Sequence, residues 1–104
     1  MIATAWNNGS HHPSGAGYGL KISKSDRDTY FIRRWRHVFL EIPDSAAPAK
    51  VNIDKDSFWA DDCRELICKE IGSWLRAQRL APWPPHNPPT FTLMPLGENV
   101  FKVK

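Results

Sequence analysis

Residues Asp62–Leu80, DCRELICKEIGSWLRAQRL, decide how the rest of the chain is read, because no other stretch carries a sustained helical period. Cys63, Leu66, Ile67, Ile71, Trp74 and Leu75 recur at intervals of three and four and gather into one apolar stripe. Arg64, Glu65, Lys69, Glu70, Ser73 and Arg76 face the other way. Asp62 with Glu65 three positions later fits a capping box, and Asp61 adds negative charge at the positive end of the helix dipole. Arg76 and Arg79 suit the last turn, which Pro82 stops. The spacing predicts one long helix over about residues 61–80. Gly72 inside it costs about 1 kcal/mol against Ala, so its position predicts a close approach of another backbone.

An apolar stripe of that length must be covered, and the remaining apolar runs are short, alternating and rich in β-branched and aromatic residues, as strands are. Ile2, Thr4 and Trp6 alternate with Ala3 and Ala5, which predicts a first strand with Trp6 on its buried side. Tyr18, Leu20 and Ile22 predict a second, entered through Gly15, Gly17 and Gly19 and leaving by a turn at Ser25–Asp28. Thr29–Ile42 is too long for one strand and changes parity, so a bulge or turn is expected near Arg33 to His37. Val51 and Ile53 predict another strand. Pro82–Pro89, PWPPHNPP, is expected to run extended for about 25 Å if straight, pinned by Trp83. Phe91, Leu93 and Val100–Val103 predict closing strands around a turn at Pro95–Asn99. The expected fold is α+β, an antiparallel twisted sheet of five or six short strands packed on the one long helix. With 104 residues, the chain reads as a single domain over 1–104.

An apolar fraction of 41% with 24% charged residues is ordinary globular composition and argues against disorder. The net charge of +3 barely raises the case for a polyanionic partner, but its distribution says more. Lys21, Lys24, Arg27, Arg33, Arg34 and Arg36 lie close in sequence, followed by a stretch from Val38 to Glu70 in which carboxylates outnumber cations. The amino terminus has neither the positive start nor the apolar centre of a secretory signal, and no run approaches bilayer length. A cytoplasmic protein with no membrane partner is therefore expected. Cys63 and Cys68, about 7.5 Å apart along a helix axis, read as two reduced thiols rather than a disulfide.

Three constellations carry functional readings. In FIRRWRHVF, Phe31–Phe39, an extended backbone puts Phe31, Arg33, Trp35, His37 and Phe39 on one face, interleaving stacking surfaces with phosphate-binding groups. Lys21, Arg33, Arg34, Trp35 and Arg36 are the candidate contacts for RNA or single-stranded DNA. The bland alternative makes Phe31 and Phe39 core and leaves the arginines solvated or stacked on Trp35. Trp59, Trp83 and His86, with the proline segment, are candidates for an interaction surface, including a seam between copies of this chain. Catalysis is the weakest reading. Asp26 and Asp28 lack a following Glu-x-Lys, His11 and His12 are adjacent and point apart, and the glycines precede a strand where a phosphate cradle needs a helix. No cofactor and no metal ligand set is indicated. The sequence thus favours a small binding module over an enzyme, with single-stranded nucleic acid ahead of a homo-oligomeric or small-ligand-binding domain.

Overall fold

The computed structural model describes all 104 residues. Seven strands form one mixed sheet: β1 (Ile2–Asn7), β2 (Tyr18–Lys21), β3 (His37–Glu41), β4 (Ala49–Asn52), β5 (Glu65–Ile67), β6 (Thr90–Gly97) and β7 (Val100–Val103). Three short helices interrupt them, α1 (Lys24–Tyr30), α2 (Asp56–Trp59) and α3 (Lys69–Ala77). The strand order is β4-β3-β7-β6-β1-β2-β5. Its two outermost strands, β4 and β5, come into contact, so the sheet curls almost into a barrel. All ladders are antiparallel except β3 with β7, where Phe39 pairs with Val100 and Leu40 with Phe101 in parallel.

This corrects the expected antiparallel sheet of five or six strands on one long helix. The stretch read as a helix divides into a strand and a shorter helix. Arg64 sits at φ 77°, a left-handed conformation that a continuous helix excludes. Glu65–Ile67 then pair with β2, Leu66 opposite Leu20. Helix α3 begins only after Cys68, with Ile71, Gly72 and Leu75 buried. Ile67, counted in the apolar stripe, is 41% exposed on the outside of the sheet. Gly19 makes the strand pairing possible, because a Cβ there would stand 2.5 Å from the Leu66 carbonyl oxygen.

The turn expected at Ser25–Asp28 is helix α1, whose N-cap Ser23 accepts from the Asp26 backbone N–H at 3.0 Å. The first strand has the opposite parity to the one expected. Ala3 and Ala5 face inward, while Ile2 is exposed and Trp6 is half-buried on the outer face. The interior is already filled by Leu20, Leu93, Phe101 and Val103, so β1 contributes its small residues there. One cluster of 21 buried residues forms the core.

The curled sheet has two ends. At one, α1, the Phe31–Arg36 connection, α2 and the β6–β7 turn close the barrel. At the other lie α3, the Asn8–Gly17 loop and the proline segment. Residues 82–89 do not run straight, since Pro85–His86 form a turn with His86 at φ 63°.

Candidate functional site

The first end is organised by one charged side chain. Arg27, the only buried charged residue, is 4% exposed. Its Nη1 donates to the carbonyls of Phe58 at 3.0 Å and Ala60 at 2.6 Å, and its Nε donates to Asp28 Oδ1 at 3.1 Å. Helix α1 thereby fixes the end of α2, and the guanidinium comes to 5.5 Å from the Trp59 ring centroid. Trp59 Nε1 donates to the Ile53 carbonyl at 2.9 Å, so that indole is held at its polar edge too.

After α1 the chain turns inward. Phe31 stacks on Phe101 with centroids 4.7 Å apart and planes 12° from parallel, and Trp35 packs edge-on against both. A turn at Arg33–Arg34 separates them, so Phe31–Phe39 is not one extended face. Phe31 goes to the core, Trp35 packs half-buried against it, and the arginines go outward. Arg33 lies 5.3 Å over the Trp59 ring. Arg34 and Arg36 are exposed, and the Arg36 carbonyl accepts from the N–H groups of Ile53 and Asp54. His37 and Phe39 stand together on β3, centroids 5.1 Å apart.

Lys21 is separated from this corner. It ends β2, and its Nζ donates to the Asp62 carbonyl at 3.2 Å. The structure therefore brings Arg33 to Trp59, a pair the sequence had placed in different groups, and leaves Trp35 as a half-buried neighbour. Carboxylates share the same end. Asp61 pairs with Lys24 at 2.9 Å, and that hydrogen bond and the ammonium charge hold its carboxyl below the usual carboxylate value.

The opposite end is built around the Asn8–Gly17 loop, which is held both by its own side chains and by α3. Asn7 Oδ1 accepts from the N–H groups of Gly9 and His11, and Asn7 Nδ2 donates to the Gly17 carbonyl. Arg76 of α3 reaches across to donate to the carbonyls of His11 and His12. Gly15 lies against Gly72, where a Cβ would stand 2.6 Å from the Gly15 Cα. This is the close backbone approach that Gly72 implied. Gly15 thus serves packing on α3 and Gly19 the pairing of β2 with β5, while a Cβ at Gly17 would meet the Asn8 side chain.

His11 and His12 part as their adjacency required. His11 Nδ1 is 3.0 Å from the hydroxyl of fully buried Tyr18, and its ring meets Trp83 edge-on at 4.8 Å. Trp83 also meets Tyr18 at 5.8 Å. His12 is exposed, and its Nδ1 lies 3.1 Å from the Ser14 backbone N–H and 2.8 Å from the Ser14 hydroxyl. His86 is exposed at the tip of the proline segment. Trp59 and Trp83 have no partner in common. No group of three or more His, Cys, Asp or Glu is gathered so as to hold a metal. Cys63 and Cys68 are free thiols, and burial pushes the Cys68 thiol up from its ordinary value.

Two concavities adjoin α3. One of about 480 Å³ runs between α3 and Pro43–Ser45, lined in part by Trp74, whose indole N–H is buried without a partner. That nitrogen has no accessible surface, so an occupant of the groove does not reach it. The other, about 300 Å³, is walled by the proline segment, Trp83, Arg79 and Asn87. In sequence Arg79 reads only as a helix-end cation, and Asn87 stands out only as an amide inside a run of prolines. Compared with protein-family models, with curated proteins and with solved structures, the chain matches none of them.

Proposed function

We propose that this protein is a small binding module for single-stranded nucleic acid, with its contact surface at the Arg33–Arg36 end of the barrel. The observation that carries the reading is Arg33 lying 5.3 Å over the half-buried Trp59 ring, with Arg34 and Arg36 exposed on the same short connection. Guanidinium planes and indoles are the surfaces on which unstacked bases rest, and neighbouring arginines neutralise phosphates. Because Asp54, Asp56 and Asp61 stand at the same end, the affinity is modest and strongly salt-dependent. The test is fluorescence anisotropy of labelled oligo-U and oligo-dT at low and moderate salt. Binding that weakens with salt, and falls about tenfold or more in Arg34→Ala/Arg36→Ala, supports the reading. No binding at low salt rejects it.

A second reading, self-association, is favoured by the outer sheet face. Trp6 pairs across Gly19, and Gly19 across Ile67, so an indole and an exposed isoleucine flank a residue with no side chain. Ile2 extends the patch along β1 at 61% exposure. Sedimentation over a hundredfold range of concentration checks it, with Ile67→Lys expected to keep the chain monomeric.

A further inference from the structure

The 300 Å³ notch at the α3 end has the parts of a recognition site and shares none with the Arg33–Trp59 corner. Its aromatic wall is fixed in advance. Trp83 is held by edge contacts to His11 and Tyr18, and Tyr18 is itself fully buried and bonded to His11. An indole immobilised before a ligand arrives loses little entropy on binding. Pro82, Pro88 and Pro89 complete the wall and carry no N–H donors.

Polar recognition therefore falls chiefly to two side chains, beside the Trp83 indole N–H. Arg79 is exposed and makes no ion pair and no side-chain hydrogen bond, unlike Arg27, Arg64 and Arg76. The carboxamide of Asn87 is likewise unengaged, only its backbone N–H being bonded, to Pro84. No carboxylate lines the notch, which favours an anion over a cation. The volume lies at the bottom of the range for small-ligand sites, about 300–1,000 Å³. A flat ring to stack, an edge to hydrogen-bond and a single anionic group are what these residues complement.

We propose that this notch binds one nucleoside monophosphate, the base against Trp83 with its edge on the Asn87 carboxamide, and the phosphate on Arg79. Base–aromatic stacking is tolerant of base identity, so the carboxamide supplies what discrimination the site has. The assignment goes beyond the oligonucleotide reading and depends on none of its residues, so either fails without the other.

The experiment is a ¹H–¹⁵N NMR titration of the whole chain with AMP, and in parallel with adenosine and with inorganic phosphate. AMP is expected to shift the Trp83 indole N–H and the backbone amides of Arg79 and Asn87 saturably. Adenosine and the Arg79→Gln variant are each expected to bind about tenfold more weakly, the effect of losing one charge-assisted contact. Inorganic phosphate alone should leave the Trp83 indole unmoved. Arg79 and Asn87 are exposed, so Arg79→Gln and Asn87→Ala report on the site without threatening the fold. The proposal is overturned by absence of saturable shifts, by unchanged affinity in Arg79→Gln, or by shifts confined to Trp59 and Arg33.

Discussion

The two ends of the barrel use arginine in opposite ways. At the α1 end Arg27 is consumed by architecture, its guanidinium spanning the gap between α1 and the carbonyls that α2 leaves unpaired. At the α3 end Arg76 does comparable work for the Asn8–Gly17 loop, but from a half-buried position, and Arg79 one turn on is left with nothing to do internally. A guanidinium buried with its donors on carbonyls and a neighbouring carboxylate is a structural strut. One that meets none is available to a ligand. Proximity in sequence does not separate the two cases, since Arg27 and Arg33 flank the same indole while only Arg33 is exposed.

The sharpest break of this contrast is Arg27→Ala. It strands the Phe58 and Ala60 carbonyls and removes the body that fills the space beside Trp59, so a loss of about 3 kcal/mol in unfolding free energy is expected. Denaturant unfolding measures it, and Arg79→Ala beside it is expected to cost less than about 0.5 kcal/mol. Equal losses for the two would show that burial and bonding do not sort these arginines as described.

How much of this was legible beforehand differs between the ends. Gly72 announced a backbone contact, and Gly15 supplies it. Val38, Leu40, Val51, Leu93 and Phe101 were readable as strand interior, since period-2 alternation survives whatever the strand order. The long helix was misread because a three-residue strand is too short to show its alternation: Leu66 and Cys68 turn inward and Ile67 outward, while Cys63, Leu66 and Ile67 also keep helical spacing. What decided was the need for a strand beside β2, a tertiary demand that local spacing does not encode. Helix α1 was missed although Ser23-x-x-Asp26 marks its start, because four polar residues between apolar runs also describe a turn. The Phe31–Phe39 stretch, expected as one extended face, is broken by the turn at Arg33–Arg34. That turn sends Phe31 to the core and leaves Trp35 half-buried against it, and Arg33 lies over Trp59, twenty-odd residues away, instead.

The loop end is tested next by Gly72→Ala. The added methyl meets the Gly15 backbone, which a rotamer change cannot relieve, so either α3 shifts or the loop lifts. About 2 kcal/mol of stability is expected to be lost. The loop's lifting releases His11 from Arg76 and Tyr18, and with it the edge that fixes Trp83. The comparison therefore predicts that Gly72→Ala weakens AMP binding at the notch while leaving oligonucleotide binding at the other end unchanged once the variant is folded. NMR shifts and anisotropy on the same sample separate the two.

The smallest effect belongs to the exposed ion pair at the α1 end. Lys24 donates to Asp61 at 2.9 Å and holds that carboxyl below its ordinary value, with the charges of Arg27 and Arg64 adding to the same direction. A carboxyl whose folded value is depressed contributes stability that is fully present above its unfolded value and is lost as pH falls through the folded one. Here both groups are solvent-exposed, so screening leaves little of that contribution, and thermal unfolding of the wild type and of Lys24→Met should differ hardly at all at neutral pH. The titration itself is the sensitive readout. In Lys24→Met the Asp61 carboxyl midpoint, followed by NMR, should move upward toward the ordinary carboxylate value, and added salt should move the wild-type midpoint the same way. A midpoint indifferent to both changes would mean that Asp61 is held by its backbone surroundings, and that even the surface cations of this end are less engaged with carboxylates than their spacing implies.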